Sequence, residues 1–262
     1  MTLPGPAFAR RSLLLAGLGA ALSTAPPASA LPPRALQFPR DHGAHPDFRT
    51  EWWYITGQAT AGGREFGFQV TFFRSRVDAT QGLQSRFAAR QLVFAHAAIT
   101  DVQGKRLWHD QRIAREGFDV ASTATTDARL KLRDWTLGRD RDAWRTRIPA
   151  QEFDLNLAFA PTQPVLLQGR DGLSRKGPEA KQASYYYSLP QLATRGTLTL
   201  RGQRFEVQGQ AWLDHEWSEE LLHPDAVGWD WIGMNYLDGS ALTAFRLRRK
   251  DGSTLWDGGS FR

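Results

Sequence analysis

Apolar and polar positions alternate with period two along most of the chain. Phe66, Phe68, Val70 and Phe72 share one side of an extended segment, and Gly67, Gln69, Thr71 and Phe73 share the other, which sets an apolar face against a mixed one. Phe153, Leu155, Leu157 and Phe159 alternate with Asp154, Asn156 and Ala158, and Leu130 and Leu132 alternate with Arg129, Lys131 and Arg133. Short turn signals join such segments: Gly62-Gly63, Gln103-Gly104, Arg201-Gly202, Asp238-Gly239 and Asp251-Gly252. No stretch after the first 30 residues carries a sustained 3.6-residue apolar stripe, although 189–192 and 219–222 could each form a short helical turn. The pattern predicts an all-β, antiparallel chain. A closed or nearly closed barrel is the usual way for such a chain to hide its strand edges, and it leaves room for an apolar ligand. Two segments break the alternation. Residues 161–183, rich in Gly, Pro, Lys and Gln, read as a long loop, and 222–227, with Pro224, reads as a connector.

The N-terminus has another character. Arg10 and Arg11 precede the apolar run 13–22, and Ala28, Ser29 and Ala30 supply small residues for cleavage, so 1–30 is expected to be an export signal. Pro26 and Pro27 close the run well short of the roughly 20 residues that a membrane span requires. The paired arginines also fit the twin-arginine route, so the mature protein is expected in the periplasm or outside the cell. Loss of those two arginines lowers the formal charge from +6 to +4. So small a surplus, spread along the chain, argues for a solvated surface and against nucleic-acid binding. The absence of cysteine excludes a disulfide scaffold, thiol catalysis and a lipid anchor on Cys.

Four clusters could carry chemistry. Asp41, His42, His45 and Asp47 contain a His-x-x-His spacing, but no third ligand is identifiable, so no metal is expected and a hydrogen-bonded polar loop is favoured. In the second cluster Glu51 and Trp53 point one way on a strand, and Trp52 and Tyr54 the other, so whichever face is inside, an aromatic wall results. His96 shares a face with Leu92, Phe94 and Ala98, where a lone His is more often a satisfied core residue than a catalyst. The fourth cluster spans 211–218. Alternation places Trp212, Asp214 and Glu216 on one face and His215 and Trp217 on the other, with Trp229, Asp230 and Trp231 following. A carboxyl held against apolar rings has its pKa raised and becomes a proton donor near neutral pH, and aromatic faces stabilise a developing cation. That combination suits acid-catalysed addition of water to an alkene, although structural carboxylates would fit the spacing equally well. No Gly-x-Ser-x-Gly elbow, P-loop or Gly-x-Gly-x-x-Gly occurs, which leaves α/β-hydrolase and nucleotide-binding readings without support.

Several of these segments together resemble a family. They are 38–46 running into Glu51-Trp52-Trp53-Tyr54, then 67–74, Tyr185-Tyr186-Tyr187-Ser188, 209–218 and Gly228-Trp229-Asp230-Trp231. The chain is similar to the secreted lipocalin-like proteins that include carotenoid 1,2-hydratases and the AttH-like, transporter-associated periplasmic group. The resemblance implies two consecutive lipocalin-like barrels with an apolar site near their contact. For hydratase members it further implies addition of water to the terminal double bond of an acyclic carotenoid, with no cofactor. It implies catalytic roles for Asp214, His215 and Trp217, and for a Tyr and an Asp two residues apart, a pattern that Tyr236 and Asp238 could fill.

These readings divide the chain into the signal, a first lipocalin-like domain at 36–220, and an incomplete second one at 228–262. Its strands are expected at 231–236, 242–248 and 253–256, and 258–262 reads as a turn leading into a strand without its partner. The leading functional expectation is an exported hydro-lyase. Asp214 or Glu216 would be the acid, His215 would orient water, and Tyr236 and Asp238 would assist. Glu51, Trp52, Trp53, Tyr54, Gln69, Thr71, His96, Trp212, Trp217, Trp229 and Trp231 would contact a polyene, isoprenoid or lipid. The rivals are a non-catalytic periplasmic carrier serving a membrane or ABC transporter and, third, a secreted hydrolase.

Overall fold

The computed structural model describes residues 30–220 and 222–262, so the export-signal expectation falls outside it apart from Ala30. The chain is all β, as the alternation predicts. Strands β1 (Thr50–Ala61), β2 (Arg64–Arg76), β3 (Gln91–Asp101) and β4 (Arg106–Arg115) form an antiparallel meander. They are followed by β5 (Ala121–Thr123), β6 (Arg129–Leu132), β7 (Trp135–Asp140), β8 (Ala143–Pro149) and β9 (Phe153–Ala160). The two-residue β10 (Leu166–Leu167) and the short β11 (Leu173–Arg175) precede the long strands β12 (Ala183–Leu200) and β13 (Gln203–Ser218). One sheet runs β4-β3-β2-β1-β13-β12-β9-β8-β7-β6-β5, with β10 and β11 paired onto β12.

This sheet curls into a nearly closed barrel. The β4 edge meets the β6–β8 side of the sheet through side chains: Arg112 on β4 donates to the Pro149 carbonyl at 2.9 Å and pairs with Asp134 in the β6–β7 turn. The inward positions are those the apolar alternation marks. Trp53, Ile55, Val70, Phe72, Trp135, Trp144, Leu155, Phe159 and Leu213 are fully buried there. Burying a large apolar side chain contributes roughly 1.5–3 kcal/mol, and this inner face is the main source of stability.

Three strands then form a separate sheet, β14 (Gly228–Asn235), β15 (Ala241–Arg248) and β16 (Thr254–Phe261), in that order. It is fixed to the barrel's outer face by Gln191 Nε2 donating to the Tyr236 carbonyl, Asn235 Nδ2 to the Ala211 carbonyl, and Trp256 Nε1 to the Arg175 carbonyl.

Three local expectations are corrected. Residues 189–192 form a β-bulge within β12, with Gln191 at φ 55°, because its side chain and amide bridge to the second sheet. The 161–183 loop contains β10 and β11, which satisfy backbone groups along β12. Gly258-Gly259 lies inside β16: Gly258 leaves space for the Phe245 ring, and Gly259 for the Thr243 carbonyl.

Close strand approach also explains Gly209, where a Cβ would collide with the Gln58 carbonyl of β1. Gly209→Ala should therefore destabilise the fold by about 2–4 kcal/mol in chemical denaturation, whereas an ordinary surface change stays within roughly 0.5 kcal/mol. A midpoint equal to wild type would contradict the close approach.

Candidate functional site

Strands β1, β2 and β13 present chemically different faces to the barrel interior and to the second sheet. Inside, Glu51 is wholly buried and accepts four hydrogen bonds. Its Oε1 takes His45 Nδ1 at 2.7 Å and His215 Nε2 at 2.9 Å, and its Oε2 takes the His45 amide at 2.9 Å and Arg74 Nε at 2.8 Å. His45 Nε2 lies 2.9 Å from Asp41, which Arg34 clamps through both oxygens. Both ring nitrogens of His45 thus face carboxylates. Tyr187 OH lies 2.6 Å from His42 Nδ1 and 3.2 Å from His215 Nδ1, and Trp217 stacks on His45 at 3.8 Å.

Electrostatics follow from burial and these bonds. Burial alone would push the Glu51 carboxyl up, but the hydrogen bonds from His215 and His45 outweigh it and hold it below the usual carboxylate range. Burial takes His215 down to about 4 and His42 down to about 3. His45, Glu51 and His215 bring three potential metal-ligand atoms within 4.8 Å. These atoms already hydrogen-bond to one another, and the Arg74 guanidinium on the same carboxylate would repel a cation, so the cluster reads as a structural polar core. The His-x-x-His spacing does not define it, because His42 turns to Tyr187 while the second imidazole comes from His215 on β13.

The opposite face lines a cavity of about 480 Å³ between the barrel wall and the second sheet. Trp52, Tyr54, Phe73, Phe94, Tyr186, Trp229, Trp231 and Phe245 supply its aromatic surface. Asp214, Tyr54, Thr71 and His96 are cross-strand neighbours on β13, β1, β2 and β3, so this polar row extends about 14 Å. Asp214 is 4% exposed. Its Oδ1 accepts Ser188 Oγ at 2.5 Å and Trp212 Nε1 at 2.7 Å. Gln168 Nε2 in turn donates to Ser188 Oγ at 2.8 Å and to Thr243 Oγ1 of β15 at 3.0 Å. Among the described residues no Arg or Lys forms an ion pair with Asp214. Burial raises its carboxyl to about 7, against the hydrogen bonds from Ser188, Trp212 and Tyr186.

Glu216, one turn of the alternation away, is chemically different. Lys176 Nζ lies 3.0 Å from its Oε1 and Ser184 donates to the same oxygen, so a cation and a hydroxyl engage it where Asp214 has only neutral donors. The Lys176 ammonium also sits 4.6 Å over the Tyr186 ring and 4.1 Å over the Phe245 ring.

The expected site residues therefore separate. Trp52, Tyr54, Thr71, His96, Asp214, Glu216, Trp229 and Trp231 meet at the cavity. Gln69 supports it, donating to Thr71 and lying 3.2 Å from His96 Nδ1, and Trp212 backs it against Trp231. Glu51, Trp53, His215 and Trp217 lie in the barrel core, so His215 does not reach the cavity to orient water. Tyr236 and Asp238 lie on the exposed β14–β15 turn, where Asp238 accepts from the Ser240 amide and hydroxyl, and they do not reach the cavity either. Sequence reasoning missed Lys176, hidden in an apparent loop, and gave Ser188 no role. It also missed Tyr186, Phe73, Phe94 and Phe245 as wall residues. Alternation placed Phe94 on the face of His96, and that was the available signal.

Two outcomes test this geometry. Glu51→Gln leaves the buried Arg74 without its counter-charge and should cost about 3–5 kcal/mol in denaturant unfolding. At Asp214 the folded state binds the extra proton between about pH 4 and 7, so this group's contribution to stability falls as pH rises through that window. Asp214→Asn should match wild type near pH 4 and exceed it by roughly 2–4 kcal/mol at pH 8. A difference that does not vary with pH would refute the raised carboxyl.

The AttH-like family profile matches residues 29–262. NE1406 of Nitrosomonas europaea, a protein assigned as AttH, superposes with a TM-score of 0.82 at 48% identity, over 90% of this chain and 72% of that one. Kievitone hydratase from Nectria haematococca superposes at 0.67 with 11% identity, over 87% of this chain and 65% of that one, and so shares the lipocalin-like fold. No protein of curated function matches the sequence. The chain belongs to the AttH-like family.

Proposed function

We propose that the protein hydrates a carbon–carbon double bond of an apolar polyene or isoprenoid in the cavity between barrel and second sheet, with Asp214 as the acid. The carrying observation is Asp214 itself: a buried carboxyl that no cation pairs with among the described residues, raised to about 7, opening on an aromatic-lined cavity. The cavity volume lies within the roughly 300–1,000 Å³ usual for small-molecule sites. Ser188 and Trp212 donate to one oxygen of Asp214 and hold the carboxyl in place beside the cavity.

In this reading the π electrons of the alkene take the Asp214 proton to form a new C–H bond. A carbocation is left on the neighbouring carbon and a carboxylate on Asp214. Trp52, Tyr54 and Trp231 line the cavity, and in this reading their rings stabilise that cation. Water oxygen then bonds to the cationic carbon, and the proton released returns to Asp214. The net reaction adds H and OH across the double bond and requires no redox partner. The similarity to a hydratase fold is consistent with this chemistry, and the N-terminal pattern supports, as part of the same proposal, a reaction outside the cytoplasm.

Lycopene or neurosporene dispersed in detergent should yield hydroxylated product. Asp214→Asn should lower turnover by about 10²–10⁴-fold, and wild-type activity should decline above about pH 7 as the acid ionises. The apolar lining also favours a second reading, a carrier that delivers such a ligand to a transporter. Tight ligand binding by wild type and Asp214→Asn, with no product from either, would decide for the carrier.

A further inference from the structure

The barrel carries a second apolar surface, away from Asp214, where the β2–β3 loop meets the end of β4. Phe87 is 74% exposed and stacks on the half-exposed Phe118 with ring centroids 5.5 Å apart. The Arg115 guanidinium lies 4.0 Å from the Phe118 ring and 5.6 Å from that of Phe87, and Arg86 lies 6.0 Å from Phe118. Leu83, in the same loop, is also exposed. Among the described residues none of Arg86, Arg90 and Arg115 pairs with a carboxylate; Arg90 and Arg115 donate to the backbone carbonyls of Leu83 and Arg86.

Exposed rings clustered with unpaired guanidinium groups match the boundary between acyl chains and phosphate headgroups. The patch is also joined to the cavity. Trp52, Phe73, Phe94 and Ile113 are successive cross-strand partners on β1, β2, β3 and β4, and Ile113, exposed on the edge strand, sits two residues from Arg115 on the same face. An apolar row therefore runs from beside Glu216 to the patch.

We propose that this patch docks on an anionic phospholipid surface, with Phe87, Phe118 and Leu83 entering the acyl boundary and Arg86, Arg90 and Arg115 meeting phosphates. The row then offers a membrane-dissolved ligand a path to the cavity. That path rests on the cavity's role proposed above, whereas docking stands on the patch alone.

The test is co-sedimentation of the protein with vesicles of phosphatidylcholine alone and of equimolar phosphatidylcholine and phosphatidylglycerol. Binding is expected to the mixed vesicles only and to weaken with salt. Arg86→Gln and Arg115→Gln should each reduce partitioning by about fivefold. Phe87→Ser, at a position outside the core, should reduce it further while leaving turnover of detergent-dispersed substrate unchanged. Absence of binding to anionic vesicles, or equal binding by all variants, would overturn the proposal, as would capture of a protein partner without any vesicle binding. Vesicle binding with no turnover would uphold docking and reject only the hydratase reading.

Discussion

A buried carboxylate with four donors organises the inner end of this barrel. Glu51 sits on β1, but its partners come from the segment before the strand, from β2 and from β13. Each partner is held in turn: Arg74 reaches the carbonyls of His45 and Phe48, and His45 reaches Asp41. An isolated charge in such surroundings would be prohibitively costly. Its retention depends on every donor being in place, which is why distant segments must converge for any one of them to be satisfied. The pre-strand segment is thereby held against the barrel mouth, where Trp53 Nε1 also donates to the His42 carbonyl.

The same strands serve two purposes because side chains alternate. Odd positions of β1 and β13 secure the barrel, and even positions build the cavity wall. His215 and Asp214 are adjacent in sequence yet lie on opposite sides of one sheet. A substitution at His215 would thus act on Asp214 only through the backbone they share. The second sheet is the other wall, and Gln168 joins the two: it touches both the Ser188 hydroxyl that orients Asp214 and Thr243 on β15.

Much of this was legible from alternation alone. The inward Phe66–Phe72 series, the β13 pattern and the opposition of Asp214 to His215 all follow from period two. What alternation could not supply was which face turns inward at 51–54, since both carry large aromatics. Glu51 resolves that choice only through His215, far along the chain, so the constraint is invisible locally. The resemblance grouped Asp214, His215 and Trp217 as one catalytic set, and the fold divides them between cavity and core. Gly258-Gly259 read as a turn because glycine there serves a neighbour's ring and carbonyl, a need no local pattern reveals. Lys176 was hidden because residues around it resemble a loop, while pairing with β12 carries it to the cavity.

The ammonium of Lys176 occupies the faces of Tyr186 and Phe245, two rings that would otherwise be open to a cation. In the proposed reaction those two faces are already taken, which leaves Trp52, Tyr54 and Trp231 as rings open to a developing positive charge. Under that proposal an ion pair that never touches the reacting atoms would bias regiochemistry, by setting which end of the bound chain meets the open rings.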